Sequence, residues 1–291
     1  MKPSRPWTPY LFLLGPFAVF GFAVLAPMAM TVYYSLLEWN GYGAQTFIGL
    51  DNFKELLGDT LFRDSFKHVL LYIAATLVVE VAVGLLLAAL ATSGRGTRLW
   101  FRTAVFTPVM LPMVVVALLW GFIYNPDFGL ANAGLDALGL GDLARAWLGD
   151  PDTALWAICV VSGWAFAGFY MTIFAASLAS LPQDVIEAAR LDGAGEGRLF
   201  WSVKLPMVRG SVEVAILLCV TGGFQGFDLF YVLTNGGPYH ATEIPTTYLV
   251  REVFTNGNVG YGSAMAVVLT VLVVAMGLVF GKLRSRREVV G

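Results

Sequence analysis

Six apolar runs decide what this chain can become: about Tyr10 to Tyr34, His68 to Ala91, Thr103 to Tyr124, Thr153 to Leu178, Val212 to Val232 and Tyr261 to Leu283. A helix needs roughly 20 apolar residues to cross the hydrocarbon core of a bilayer, and each run supplies about that many. Composition agrees: 57% of the 291 residues are hydrophobic and 13% are charged, against about 25% charged in soluble domains. The expectation is an all-α polytopic membrane protein with six transmembrane helices. It divides into a first helix and outer loop (residues 1–66), a five-helix core (67–285) and a short tail (286–291).

Lys2 and Arg5 precede the first run, as in a signal peptide. The run is longer than an h-region of about 7 to 15 residues, so it is expected to remain as a membrane helix. Orientation follows from the other cations. With the N-terminus inside, the inner segments hold Lys2 and Arg5; Arg95, Arg98 and Arg102; Arg190, Arg198, Lys204 and Arg209; and Lys282, Arg284, Arg286 and Arg287. The outer segments hold Lys54, Arg63, Lys67, Arg145 and Arg251. The positive-inside rule then places both termini in the cytoplasm. A net charge of −2 offers no footprint for nucleic acid, and the apolar faces call for membrane lipid instead. Cys159 and Cys219 lie inside apolar runs and read as small hydrophobes. Neither they nor His68 and His240 have the spacing of metal ligands.

The outer loops carry local signals. Phe47 to Phe53 reads as a turn entering a short amphipathic piece, and a short interfacial helix is expected between Gly129 and Leu148. Asn235-Gly236-Gly237-Pro238 is a strong turn, since glycine supplies positive φ and proline stops a helix. Thr246 to Phe254 follows as one more surface helix.

The inner loop at 182–206 reads as helix, turn, helix. Pro182 suits a helix start, and Val185, Ile186 and Ala189 form a narrow apolar stripe with Glu187 and Arg190 facing elsewhere. Gly193 suits the left-handed position that ends a helix. A second helix, Glu196 to Lys204, is expected to break at Pro206. Periodicity alone allows two readings: a solvated helix lying on the membrane surface, or a handle gripped by another protein.

The residue pattern separates these readings. Glu187, Ala188, Ala189, Gly193, Val203, Leu205 and Pro206 resemble the signature loop of permease subunits in binding-protein-dependent ATP-binding-cassette importers, with Val203 in place of the commoner Ile. Leu233 to Pro238, Gly260 to Ala264 and Phe47 to Phe53 are similar to the permeases that import sugars, oligosaccharides and glycerol phosphate. The resemblance implies a type I importer permease fold and an assembly of two homologous permeases, two copies of a cytoplasmic ATPase and an extracytoplasmic sugar-binding protein in a prokaryotic cytoplasmic membrane. It also implies that Glu187, Ala188, Ala189, Gly193, Leu205 and Pro206 couple to that ATPase. The chain has no phosphate-binding loop of its own, because Gly281-Lys282 is followed by Leu283. ATP and Mg therefore belong to the partner ATPase, no cofactor is expected on this chain, and it is read as a transport subunit rather than an enzyme.

Polar groups within spans are functional candidates by default. Thr221, Gln225 and Asp228, interleaved with Phe224 and Phe227, recur in the fifth run, while Trp164 and Tyr170 lie in the fourth. Amides and carboxylates suit sugar hydroxyls and aromatic rings suit sugar C–H faces. Counting back from the Asn235 turn, Gln225 stands where maltose-type permeases place ligand contacts. Gly222, Gly223 and Gly226 replace larger residues there, which makes room for cargo or lets helices pack closely. Glu80, in the second run, reads as structural, protonated or bonded to a neighbouring helix; proton coupling in a stand-alone carrier is the rival use. Apart from Lys282 at the inner end of the last, no Lys or Arg falls inside the runs. That favours a neutral saccharide over glycerol phosphate, whose charge would need compensation.

Overall fold

The computed structural model describes residues 8–93 and 98–288. The chain is helical almost throughout and forms two compact units, one built from the chain up to Thr60 with Leu249–Ala275, the other from Leu61–Tyr248 with the chain beyond Met276. Arg95, invoked above for orientation, lies outside the described residues.

In the first unit, Thr8–Phe20, Gly21–Leu25 and Ala26–Tyr34 make one helical run with a widened π turn in its middle. Its apolar side chains stay uncovered, Phe12 at 78% and Phe22 at 84% exposure, as expected of a surface meant for lipid or another apolar partner. A small antiparallel hairpin of Leu37–Glu38 and Thr46–Phe47 follows, a minor departure from the all-helical expectation. The Asp51–Gly58 helix closes it, with the Asn52 side-chain amide donating to the carbonyls of Ser35 and Leu37 at 2.9 Å each. Tyr261 donates to Asp59 at 2.6 Å. At Gly260 an added Cβ would collide with the Leu37 carbonyl, so glycine is required there by close approach.

The second unit is organised around Pro151–Ala179. This helix starts with Pro151 in its first turn and Asp150 as N-cap, whose carboxylate accepts from the Asp152 amide at 3.0 Å. Glycines set its packing. At Gly163 an added Cβ would collide with Val79, and at Gly168 with the Val105 carbonyl; at Gly84, on the helix opposite, it would lie 2.7 Å from the Cβ of Tyr170. Small residues let apolar helices approach this closely where no hydrophobic force drives them together.

All six apolar runs are helical, yet not as six straight rods. Among the described residues four helices have the length and apolarity to cross a membrane: Phe12–Tyr34, Thr60–Thr92, Pro151–Ala179 and Val259–Lys282. The third run turns by 99° between Trp100–Met110 and Met113–Ile123. Pro112 explains the place, since it forces Leu111 into an extended conformation at φ −81°, ψ 137°. The fifth run also breaks, into Arg209–Gln225 and Asp228–Leu233. Gly226 and Phe227 leave the helical region, and the freed Gly226 carbonyl accepts from the Thr246 hydroxyl at 2.6 Å. Interrupted spans, which the apolar pattern did not reveal, are therefore part of this fold.

The outer loops are close to expectation. The second holds the short helix Leu130–Ala137, inside the expected stretch from Gly129 to Leu148, followed by a 3-10 turn at Gly141–Leu143. In the third, Asn235 and Gly236 both take positive φ, 49° and 81°, and the last surface helix is Pro245–Phe254.

Candidate functional site

The loop at 182–206 folds as helix Gln183–Leu191 with Pro182 as N-cap, then a helical run from Glu196 to Met207. The first helix ends in a Schellman motif: Gly193 N–H donates to the Arg190 carbonyl and Ala194 N–H to the Ala189 carbonyl, both at 3.0 Å. Gly193 has φ +82° and open space around it, so glycine is needed for the backbone angle and not for room.

The second helical run does not stop at Pro206. It continues to Met207 and breaks at Val208, because the turn before the proline, Phe200–Lys204, is widened into a π turn. Leu205 N–H bonds back to the Phe200 carbonyl, so the ladder is already shifted where it meets the residue with no N–H to give. Arg190 and Glu196 tie the two helices at 2.8 Å through an exposed ion pair, which is worth little by itself.

The signature residues divide by direction. Ile186 is 6% exposed and lies in the buried cluster that includes Phe174, Leu178 and Leu199, and Ala189, Val203 and Leu205 pack against that cluster. Val185, assigned to the apolar stripe from the sequence, is instead 41% exposed. Asp184, Glu187, Ala188 and Leu191 are exposed and spaced i, i+3, i+4, i+7, so they form one outward stripe. Pro206 is exposed too. The motif thus holds both the bolts of the loop and its free surface.

The second feature is a cavity of about 310 Å³ among the helices of the second unit. Four of the sequence candidates meet there as lining: Tyr170, Gln225, Phe227 and Asp228. Gln225 and Asp228 are exposed, and Phe227 stacks on Tyr231 with ring centroids 4.8 Å apart. The other three candidates do not line it. Thr221 returns its hydroxyl to the Leu217 carbonyl at 2.7 Å. Phe224 is 6% exposed and faces Phe66. Trp164 stands edge-on to Trp120 at 5.7 Å, in a separate groove with Val79 and Val83. The glycines also divide: at Gly223 an added Cβ would collide with Ile73, whereas Gly222 opens on empty space in the cavity wall.

The cavity holds side chains that sequence reasoning did not assign to it. Tyr72, Thr76 and Glu80 come from one helical run, Ser162, Phe166 and Phe169 from the Pro151–Ala179 helix. Glu80 is bonded to a neighbouring helix, as one reading of the sequence had it: the Ser162 hydroxyl donates to Glu80 Oε1 at 2.6 Å. Ser162 is in turn 2.7 Å from the Tyr72 hydroxyl. The sequence did contain the signal. Tyr72, Thr76 and Glu80 are spaced i, i+4, i+8, and Ser162, Phe166, Phe169 and Tyr170 at i, i+4, i+7, i+8, each set on one helix face.

Ser162 and Ala179, at the loop end of the same helix, are separated by about 25 Å at 1.5 Å per residue. The cavity and the loop that carries the exposed stripe are thus linked by one continuous helix.

Comparison with known proteins places this geometry. Residues 80–287 match the family described as binding-protein-dependent transport system inner membrane component. The probable ABC transporter permease protein YurN of Bacillus subtilis (strain 168) is 40% identical over 274 residues, 93% of each chain. The diacetylchitobiose uptake system permease protein NgcF of Streptomyces coelicolor is 34% identical, covering 94% of this chain and 80% of its own. The sn-glycerol-3-phosphate transport system permease protein UgpA of Yersinia pestis is 31% identical over 96% of each. In fold, the chain superposes with a TM-score of 0.87 on a chain of a bacterial ABC transporter involved in the import of the acidic polysaccharide alginate, at 22% identity and covering 97% and 96% of the two chains. Fold, signature loop and relatives agree: this chain belongs to the family of binding-protein-dependent transport system inner membrane components, the permease subunits of ABC transporters.

Proposed function

We propose that this chain forms one half of the translocation pathway of an ATP-driven carbohydrate importer in a prokaryotic inner membrane. A second, homologous permease supplies the other half, two copies of a cytoplasmic ATPase dock on the inner loops, and an extracytoplasmic sugar-binding protein delivers cargo. The chain crosses the membrane six times, the bent third run and the broken fifth each counting once, with both termini in the cytoplasm. The stripe of Asp184, Glu187, Ala188 and Leu191 is the ATPase contact, Gly193 shapes its end, and Leu205 with Pro206 secures the second helix. ATP-driven closure of the ATPases shifts the pathway between inward-open and outward-open states.

The observation that carries the cargo class is the lining of the cavity. Phe166, Phe169, Tyr170 and Phe227 offer ring faces, Gln225 and Asp228 offer hydrogen-bonding groups, and no Lys, Arg or His stands among the described lining residues. A neutral, polyhydroxylated molecule suits such a wall; a phosphate or uronate would be buried without a counter-charge. The uptake system to which NgcF is assigned by name handles diacetylchitobiose, which is neutral. Membership of this family argues against a stand-alone proton-coupled carrier.

Calorimetric titration of the cognate binding protein tests the reading directly. Maltose, cellobiose, N,N′-diacetylchitobiose and sn-glycerol 3-phosphate are the probes. Binding of a neutral sugar is the expected result, and binding of glycerol 3-phosphate alone overturns the carbohydrate assignment.

A further inference from the structure

Glu80 is 4% exposed, yet it lines the cavity. Its two oxygens have different surroundings. The Ser162 hydroxyl spends its single hydrogen on Oε1 at 2.6 Å. The Tyr72 hydroxyl, 2.7 Å from Ser162 Oγ, must then be the donor of that pair. The result is a one-way relay, Tyr72 to Ser162 to Glu80, that fixes the carboxyl group in place.

Oε2 lacks a partner of that quality. Its contact is with Cys219 Sγ at 3.9 Å, and the same thiol lies closer to Thr76 Oγ1, at 3.6 Å. The Thr76 hydroxyl already donates to the Tyr72 carbonyl at 2.9 Å, so it is free to accept from the thiol. A thiol has one hydrogen and is a weak donor at best. The second oxygen of a nearly buried carboxyl group is therefore held at the cavity wall with one thin contact, and buried polar atoms in that position call for a donor.

Resting on the carbohydrate-importer reading, we infer that Glu80 is a specificity-determining residue that accepts a hydrogen bond from a hydroxyl group of the neutral cargo at the cavity wall. Hydroxyl groups can donate to Oε2, whereas a fully ionised phosphate or carboxylate group has no hydrogen to give. Phe169 and Tyr170 line the cavity, and aromatic rings of this kind suit the C–H side of a sugar. Ser162 and Tyr72 are positioning residues, acting on cargo only through Glu80.

The test uses the full complex with its binding protein in proteoliposomes, and as cargo whichever neutral sugar binds tightest in the titration above. Should no neutral sugar bind, the carbohydrate reading falls and this inference with it. With cargo in hand, Glu80→Gln turns the cavity-facing acceptor into a donor. Uptake is expected to fall about tenfold or more, as for loss of a hydrogen bond to an ionisable group. Binding-protein-stimulated ATP hydrolysis should stay within about twofold of the parent, since assembly and docking are untouched. Ser162→Ala, which keeps the carboxyl group but frees it, should give a smaller fall in uptake with the same retained hydrolysis. Unchanged uptake in Glu80→Gln overturns the inference. So does a parallel loss of uptake, hydrolysis and co-purification in both variants, which would make Glu80 a strut between helices.

Discussion

Gly222 and Gly223 both line the cavity but differ in the room they have. An added Cβ at Gly223 would collide with Ile73, whereas at Gly222 it would meet nothing. From sequence, both explanations for these glycines stood open, because a missing side chain does not say what occupies its place. Leucine at position 223 should lower the melting temperature of the solubilised complex, by a loss of about 1–3 kcal/mol from overpacking. Leucine at position 222 should leave melting unchanged and cut uptake by filling the cavity. Reversed phenotypes would show that the two roles are exchanged. Glu80 teaches a related lesson: its partner Ser162 is 82 residues away in sequence, so hydropathy marked the carboxyl group as unusual but gave no hint of what held it.

The elements divide along similar lines. Long apolar runs were legible because a hydropathy window averages over twenty residues, and for the same reason their interruptions were not. Pro112 and the Gly222 to Gly226 cluster were visible as letters, but a run containing them keeps its mean. The break after Gln225 depends on Thr246, on a different helix, to satisfy the Gly226 carbonyl. Replacing it by Val should leave that carbonyl without its partner and cost about 1–3 kcal/mol, measured as a lower midpoint in thermal unfolding; an unchanged midpoint would mean that another donor takes over.

The inner loop is the element the sequence described best. Its caps, glycine end and helix–turn–helix order all appear, since these are local signals; the direction of each side chain had to wait for the core it packs on. That division gives a paired test. Ile186→Ala should destabilise the subunit by about 2–5 kcal/mol through cavity creation and reduce ATPase co-purification as a consequence. Glu187→Lys should abolish co-purification with the melting temperature unchanged, and retention of the ATPase by that variant would remove the stripe from the contact.

At the scale of the molecule, family and fold class followed from one loop and six runs, while the cavity did not. It is assembled from helices far apart in sequence, so no motif spans it. Energy coupling is the whole-molecule question. In proteoliposomes with ATP inside, a protonophore should leave sugar uptake within about twofold of its starting rate, whereas ATP depletion should abolish it. The opposite pattern would make Glu80 part of a proton path after all. The Pro151–Ala179 helix, which runs from cavity to loop, is the element along which such coupling would be sought.

None of Asp184, Glu187, Ala188 and Leu191 is buried. Folding therefore makes no demand on those four letters, while Ile186, Leu199 and Leu205 hold the loop to the subunit. If those four are the ATPase contact, as proposed, a graft of the same four positions from another permease should act as an address label, changing which motor co-purifies while the melting temperature stays where it was.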